Sequence, residues 1–310
     1  MFDWLRDLYA SFFGSDVFVA PEYLLFSLPI AWVIYRVHRR RGRASGGFWQ
    51  WLIPRRIYLH RSHMLDLKLF VLGRLMVFLG LFARVSLTTA IAGAVAAQGF
   101  APSGLSLTPL VLALVLWLVT DMTSYWMHRA YHELSLIWPL HAVHHSAEVL
   151  TPFSAYRQHP LALVLSSLVL SAVTGLAQGL VIGSAAPDTA ILEIAGINAF
   201  LVLGTLAMAN FHHSHIWVSF GPMLEHLLIS PAQHQIHHST RPEHFNKNYG
   251  QTLALWDWLF GTLYVIRGAE DVRFGLDGPQ EERLMTHGFW ATLSNPVARI
   301  WRALRPGSGK

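Results

Sequence analysis

DMTSYWMHRAYHELSLIWPLHAVHH, from Asp121 to His145, decides how this chain is read. It holds five of the eighteen histidines: His128, His132, His141, His144 and His145. The first two form an HxxxH and the other three an HxxHH. On a helix, positions i, i+3 and i+4 share a face, so each group is expected to aim its imidazoles at a common point. Far downstream, His234, His237 and His238 repeat the HxxHH spacing within SPAQHQIHHS (Ser230–Ser239). These imidazoles are too many for one tetrahedral zinc. They suit a dinuclear site.

A solitary histidine in an apolar protein is ordinarily a hydrogen-bonded core residue or a pH-sensitive group. Clusters are different. Packed imidazoles repel when protonated and strand polar nitrogens when neutral, and a metal ion relieves both problems.

Composition sets the class. The chain has 310 residues, of which 53% are hydrophobic and only 13% charged. Soluble domains carry about 25% charged residues, so the deficit points to a membrane protein. Twelve tryptophans and eighteen phenylalanines fit interfacial belts as well as core packing. No cysteine is present, which excludes disulfides, thiolate metal sites, iron–sulfur clusters and cysteine nucleophiles.

Along the chain, acidic Asp3 and Asp7 argue against reading the first residues as a signal peptide. Tyr23–Val37 is apolar and, extended by Val17–Ala20, approaches the roughly 20 residues a membrane span needs. Between Arg36 and Lys68 nine Lys or Arg face a single acid, Asp66. The positive-inside rule puts that loop in the cytoplasm. Its FWQW among arginines reads as a headgroup-level segment rather than a nucleic-acid patch. Leu69–Ala97 is expected to cross outward, APSG (101–104) to turn, and Leu105–Leu118 to return and run unbroken into the histidine stretch. Pro160–Gly183 and Ala190–Phe211, split by GSAAPD, read as a hairpin of two further apolar arms. FHHSH, with His212, His213 and His215, ends the hairpin, and RPGSGK closes the chain as a disordered tail.

The expected fold is all-α: a polytopic integral membrane protein of about four transmembrane helices. A cytoplasmic helical cap would hold the dinuclear histidine-rich site. Every histidine group falls on one side when crossings are counted from the basic loop. Three segments follow: 1–120 with the first helices and the basic loop, 121–267 with the site, and 268–310 as a cytoplasmic tail.

DMTSYWMHRAYH, HAVHHS, RQHP, FHHSHI and HQIHHS, followed by NKNYGQTLALWDWLFGTLY, resemble in order and spacing the fatty acid hydroxylase/sterol desaturase superfamily. The resemblance runs from Asp121 to Tyr264. It implies an integral membrane di-iron enzyme that uses O2 to hydroxylate or desaturate lipids. Carried over, His128, His132, His141, His144, His145, His234, His237 and His238 match the family's ligand histidines. His213 falls at the histidine of an F-x-H-[S/T]-N segment, and His215 replaces its asparagine, leaving the choice among His212, His213 and His215 open. His159 in RQHP matches a recurrent family histidine and is counted with His213 among the expected metal ligands; it reads equally as a residue at the membrane edge ahead of the helix that Pro160 starts.

Imidazole suits iron, copper, zinc and nickel alike, so ligand type does not choose the metal. The implied activity favours two iron ions, with O2 as co-substrate. Glu133 and Glu148 adjoin the clusters, but no Glu-x-x-His motif occurs, so a nearly all-histidine shell is expected. Asp121 and Asp257 are candidates to orient imidazoles through their second nitrogen, whereas Glu225 reads as a cap or ion-pair partner. No catalytic residue beyond the metal site is indicated. With no G-x-G-x-x-G motif, electrons must come from an external donor: a reductase, a ferredoxin or a cytochrome b5-like protein. The implied activity is lipid hydroxylation, with desaturation on the same site as the alternative. A haem carrier would place isolated histidines within spans, and a metal transporter would place charged ligands at the bilayer midplane. The sequence has neither pattern.

Overall fold

A computed structural model describes residues 3–14, 17–81, 84–98, 107–184, 193–194, 197–198 and 209–305. Its helices are α1 (Asp3–Phe13), α2 (Pro21–Arg40), α3 (Phe48–Leu52), α4 (Arg55–Tyr58), α5 (Arg61–Phe78), α6 (Arg84–Ala96) and α7 (Pro109–Glu133). They continue as α8 (Trp138–His145), α9 (Pro160–Ser184), α10 (Asn210–His212), α11 (Pro231–His237), α12 (Leu255–Phe260), α13 (Glu282–Met285) and α14 (Phe289–Leu304). Apart from two isolated bridges, the only strand pairing among the described residues is a two-residue antiparallel ladder, Glu193–Ile194 with Ile197–Asn198.

Among the described residues two helices, α7 and α9, are long and apolar enough to cross a membrane. Helix α7 starts where Thr108 accepts a hydrogen bond from the Val111 amide at 3.3 Å and Pro109 occupies the first turn. It then runs unbroken through the apolar stretch into Asp121, His128 and His132. At 25 residues it is about 37 Å long, more than the ~30 Å hydrocarbon core, so its histidine end can project beyond a bilayer. In α9 only 17% of the most apolar 18-residue window is buried inside the protein. So large an outward apolar face is an aggregation hazard in water and the normal surface of a lipid-facing helix.

The stretch read as one outward crossing, Leu69–Ala97, is two helices. α5 ends at Phe78, Gly80 turns the chain at φ +70°, and α6 starts at Arg84. At 13 residues, α6 is too short to span on its own. It lies instead along α9, and small residues explain how closely. A Cβ on Gly179 would sit 2.7 Å from the Ala92 carbonyl oxygen, and one on Gly175 would sit 2.9 Å from that of Thr88. The G-x-x-x-G spacing lets the two backbones touch. The expected turn at 101–104, most of the returning arm at 190–211 and the tail from 306 lie outside the described residues.

Around the histidine end of α7, several elements meet on a buried cation. Arg157 is fully buried. It donates to Asp66 Oδ1 at 2.7 Å, the Val143 carbonyl at 2.9 Å, the Ser62 carbonyl at 3.0 Å and Ser146 Oγ at 2.9 Å. It also reaches His287 Nδ1 at 2.9 Å. One side chain thereby joins α5, the end of α8 and the segment before α14. An apolar cluster of Leu65, Leu69, Ala142, Val143 and Leu284 packs over the same junction.

The glycine seam gives a test. Gly179→Leu should lower stability by about 1–3 kcal/mol, because the opposing atom is backbone and cannot move aside. Gly93→Ala on α6, where a Cβ meets nothing within 4 Å, should be neutral or slightly stabilising. Thermal unfolding in detergent or nanodiscs reads both; equal loss in the two variants would contradict the close-contact account.

Candidate metal centre

Nine histidines converge in two adjacent groups. His128, His132, His141, His145 and His237 form one; His144, His213, His234 and His238 form the other. Within each group one nitrogen from every residue lies within 4.8 Å of all the others. Among the described residues, neither group includes a carboxylate.

The division follows helix geometry. Residues i and i+4 project about 40° apart, whereas i+3 diverges from i+4 by about 100°. His141 and His145 of α8 therefore stay together while His144 turns to the other group. His234 and His238 likewise stay together while His237 crosses back. Neither HxxHH converges on a single point, contrary to the simple face argument. Each serves both groups.

Local devices fix the helices. In α11, Ser230 Oγ accepts from the Gln233 amide at 3.1 Å, and Gln233 Oε1 accepts from the Ser230 amide at 2.9 Å, with Pro231 in the first turn. Buried Glu225 accepts from Ser230 Oγ at 2.8 Å, Ser219 Oγ at 2.7 Å and the Ile266 amide at 3.0 Å. It ties the cap loops and touches no imidazole. In α8 Pro139 occupies the first turn.

Two of the imidazoles are oriented by backbone. His128 Nδ1–H donates to the Tyr249 carbonyl at 2.8 Å, and His237 Nδ1–H donates to the Lys247 carbonyl at 2.8 Å. That bonding fixes the tautomer and leaves each Nε2 with a bare lone pair. His144 Nδ1 lies 3.2 Å from the Gln158 amide. The carbonyls come from NKNYG, where Asn246 and Asn248 hold φ of +58° and +55°. Asn248 locks the turn: its Oδ1 accepts from the Tyr264 amide at 2.7 Å and its Nδ2 donates to the Gln233 carbonyl at 3.2 Å. Asparagine suits left-handed turns, a sequence signal for a shaped loop but not for what its carbonyls hold.

The expected roles of Asp121 and Asp257 require correction, since neither carboxylate meets an imidazole. Asp257 accepts from the amides of Tyr249 at 2.8 Å and Gly250 at 2.7 Å, and from Thr262 Oγ1 at 2.6 Å. Asp121 accepts from the Thr252 and Leu253 amides at 3.3 Å each and from Trp256 Nε1 at 2.9 Å. Both hold the loop that holds His128. Burial raises the Asp257 carboxyl above the usual range, against those bonds. Glu133 pairs with Arg129 at 2.8 Å and Glu148 with His287 at 2.5 Å, so neither enters a group.

The expectation that His159 is a ligand requires correction, because it stands apart from both groups. Its Nδ1 accepts from the Leu161 amide at 3.1 Å and its Nε2–H donates to the Leu293 carbonyl at 3.0 Å, which occupies both nitrogens. Of the three histidines in FHHSH, only His213 joins a group. His212 donates to the Ile229 carbonyl at 3.0 Å and His215 to the Trp51 carbonyl at 2.8 Å.

The groups fit metal ions. Nε2 atoms approach in pairs: His145–His237 at 3.1 Å, His144–His213 at 3.1 Å, His213–His234 at 2.9 Å and His234–His238 at 3.2 Å. Two nitrogens bound at about 2.1 Å and a right angle to one ion lie about 3 Å apart. The Nε2 atoms of His128, His132 and His141 are buried without any partner. Burial first, then the neighbouring imidazoles, depresses His141, His145, His213, His234, His237 and His238 well below the ordinary value, and His144 lies at about 3. Near neutrality these rings are uncharged, the form that binds metal.

That depression has a consequence for the metal-free protein. An unfolded histidine titrates near 6.5 and the buried rings titrate lower. Their contribution is present above pH ~6.5 and is lost as pH falls, at up to about 1.4 kcal/mol per pH unit for each ring. Metal-free protein should unfold at progressively lower temperature from pH 7 to pH 5. A midpoint flat across that range would contradict the burial of neutral imidazoles.

Residues 113–262 match the family model described as fatty acid hydroxylase, a span containing all nine grouped histidines. The chain is 31% identical to alkylglycerol monooxygenase of Danio rerio over 199 residues, 60% of this chain and 40% of that protein. It is 30% identical to ornithine lipid hydroxylase OlsE of Rhizobium tropici, over 63% of this chain and 53% of the relative. It is 32% identical to Delta(7)-sterol 5(6)-desaturase erg3C of Aspergillus fumigatus, over 49% and 48%. The chain thus spans about two fifths to one half of the length of these relatives. No solved structure matches it. With its histidines ordered and grouped in this way, the chain carries a fatty acid hydroxylase domain and belongs to the fatty acid hydroxylase/sterol desaturase superfamily.

Proposed function

We propose that this chain is an O2-dependent lipid hydroxylase with a pair of iron ions. One ion would be held by His128, His132, His141, His145 and His237, the other by His144, His213, His234 and His238. The observation that carries the reading is the pair of adjacent, all-imidazole groups at the projecting end of an apolar helix. Bound there, iron supplies the redox chemistry that couples reduction of O2 to oxidation of an unactivated C–H bond, which redox-inert zinc does not offer.

The protein's own residues hold and shelter that chemistry. The Tyr249 and Lys247 carbonyls keep His128 and His237 with the proton on Nδ1 and the lone pair of Nε2 inward. Buried imidazoles on every side keep bulk water away from the groups. Asp257, through Tyr249 and Gly250, keeps the supporting loop in place. The substrate is a membrane lipid of acyl, ether or sterol type, reached along α7 and α9, which we read as membrane-crossing. Residues 121–267 form the catalytic region, braced by 1–120 and 268–310. Electrons arrive from a separate donor protein. Desaturation is the second reading, favoured by the sterol desaturase among the relatives. It uses the same site and removes two hydrogens instead of inserting oxygen.

The groups face the cytoplasm in this reading. The basic excess of residues 36–68 supports it. So does the packing of that loop on the site: Phe48, Trp51 and Leu52 meet Phe211 and Ile216, and Trp51 accepts the bond from His215.

Two tests follow. Lipids from cells with and without the protein, compared by mass spectrometry, should differ by one added oxygen, or by two lost hydrogens if the enzyme desaturates. His144→Ala and His141→Ala should each cost metal and lower turnover by more than the 10–100-fold typical of losing a ligand's hydrogen-bond partner. Full turnover in either variant would refute the dinuclear assignment. Sidedness is read separately, and the cysteine-free chain keeps the labelling clean. Exposed positions Ser45 and Glu243, each changed to Cys, should resist an impermeant thiol reagent in intact cells and react after permeabilisation. Labelling of only one in intact cells would overturn the shared side.

A further inference from the structure

The segment after the family match ends in α14, and α14 has three faces. Phe289 and Leu293 pack into the cluster behind α8, and Ile300 packs with Met127, Leu165, Tyr131 and Ala162, where α7 ends and α9 begins. Arg302 and Arg305 lie on a polar flank and are exposed. Between these faces Trp290, Val297, Trp301 and Leu304, at i, i+7, i+11 and i+14, fall within an arc of about 60°. They are exposed by 77%, 44%, 61% and 62%. Two tryptophans and two aliphatics are thus left open on one stripe.

We propose that this stripe lies in the surface of a phospholipid bilayer, with α14 parallel to the membrane plane. Three observations place the bilayer there. First, the open stripe adjoins the face that packs on the ends of α7 and α9, so lipid covering those helices continues onto it. Second, α12 does the same on another side of α7. Phe260 packs on Trp126 with ring centroids 4.8 Å apart, leaving Trp258 and Leu259 exposed by 57% and 62%. Ile300 shares its cluster with Met127 and Tyr131 of α7, one to five residues beyond Trp126 and so within about 8 Å of it along the helix axis, which puts both open patches at the same end of α7. Third, Arg129 follows immediately, its guanidinium 5.3 Å from the Trp126 ring and paired with Glu133. A change from aromatic to charged side chains marks a headgroup boundary. Arg305, 5.5 Å over the Trp301 ring, and Arg302 on the polar flank are placed to meet lipid phosphates, as in other helices that lie in the interface.

The placement links the bilayer to the site. α14 packs on α8, which carries His141, His144 and His145, and its Leu293 carbonyl accepts the bond from His159. The inference rests on reading α7 and α9 as membrane-crossing and is independent of the reaction catalysed.

Nitroxide labels on single cysteines test it, using the full chain in phosphatidylcholine/phosphatidylglycerol nanodiscs and power saturation with oxygen and a nickel chelate. Labels at Val297→Cys, Trp301→Cys and Leu304→Cys should collide more with oxygen than with the chelate, and the ratio should reverse at Arg302→Cys. Val297→Cys and Leu304→Cys carry the result if loss of Trp301 impairs folding. Leu176→Cys, an exposed position on α9, serves as the lipid reference. Chelate-dominated collisions on the α14 stripe beside an oxygen-dominated Leu176→Cys would overturn the placement alone. Chelate-dominated collisions at Leu176→Cys would overturn the membrane reading of α9 as well. A stripe shielded from both reagents would mean that a protein covers it, which also overturns the proposal.

Discussion

The arrangement of the grouped histidines depends on a cation that belongs to neither group. Arg157 is wholly buried, and an unpaired buried guanidinium would be severely destabilising. Asp66 neutralises it and carbonyls from α5 and α8 take the remaining donors. Because the Val143 carbonyl is one of those acceptors, the helix bearing three of the histidines is pinned at its last turn. The partners are 77 to 91 residues apart along the chain from Asp66 to Val143 and Arg157. Loss of either ionised partner leaves the other stranded, so the N-terminal helices serve the site although they contribute no histidine to it.

Much of this was legible in the sequence. Clustered imidazoles, an apolar run entering them without a break, and S-P-A-Q ahead of the downstream histidines are local patterns with local causes. They place the helices α7 and α11 and bring eight of the nine grouped histidines into view. The apolar content of Pro160–Gly183 likewise corresponds to α9. His213 could be narrowed to a set of three but not chosen, because its neighbours differ only in which carbonyl each ring happens to meet.

What stayed hidden depends on contacts between distant segments. Asp121 and Asp257 look like imidazole partners when only their place along the chain is known. In the fold, backbone amides of the 249–253 loop reach them first, and that loop presents carbonyls to the rings instead. The break at Gly80 was masked because apolar residues continue on either side of it. Small residues at 175 and 179 then draw the freed helix α6 onto α9. His159 matched a motif yet spends both nitrogens on backbone. A motif records a recurring residue, not the atom it faces.

The crossing of the middle histidine in each HxxHH has one more consequence if both groups hold ions. Helices α8 and α11 each supply rings to both groups, so neither helix can be ordered for one ion without being ordered for the other. The entropy of fixing the two helices is then met largely by the first ion to bind, and the second finds its rings already in place. Loading becomes cooperative: half-filled protein is scarce at equilibrium, and a chelator strips both ions together. The spacing that divides the ligands between two centres thus also makes those centres a single thermodynamic unit.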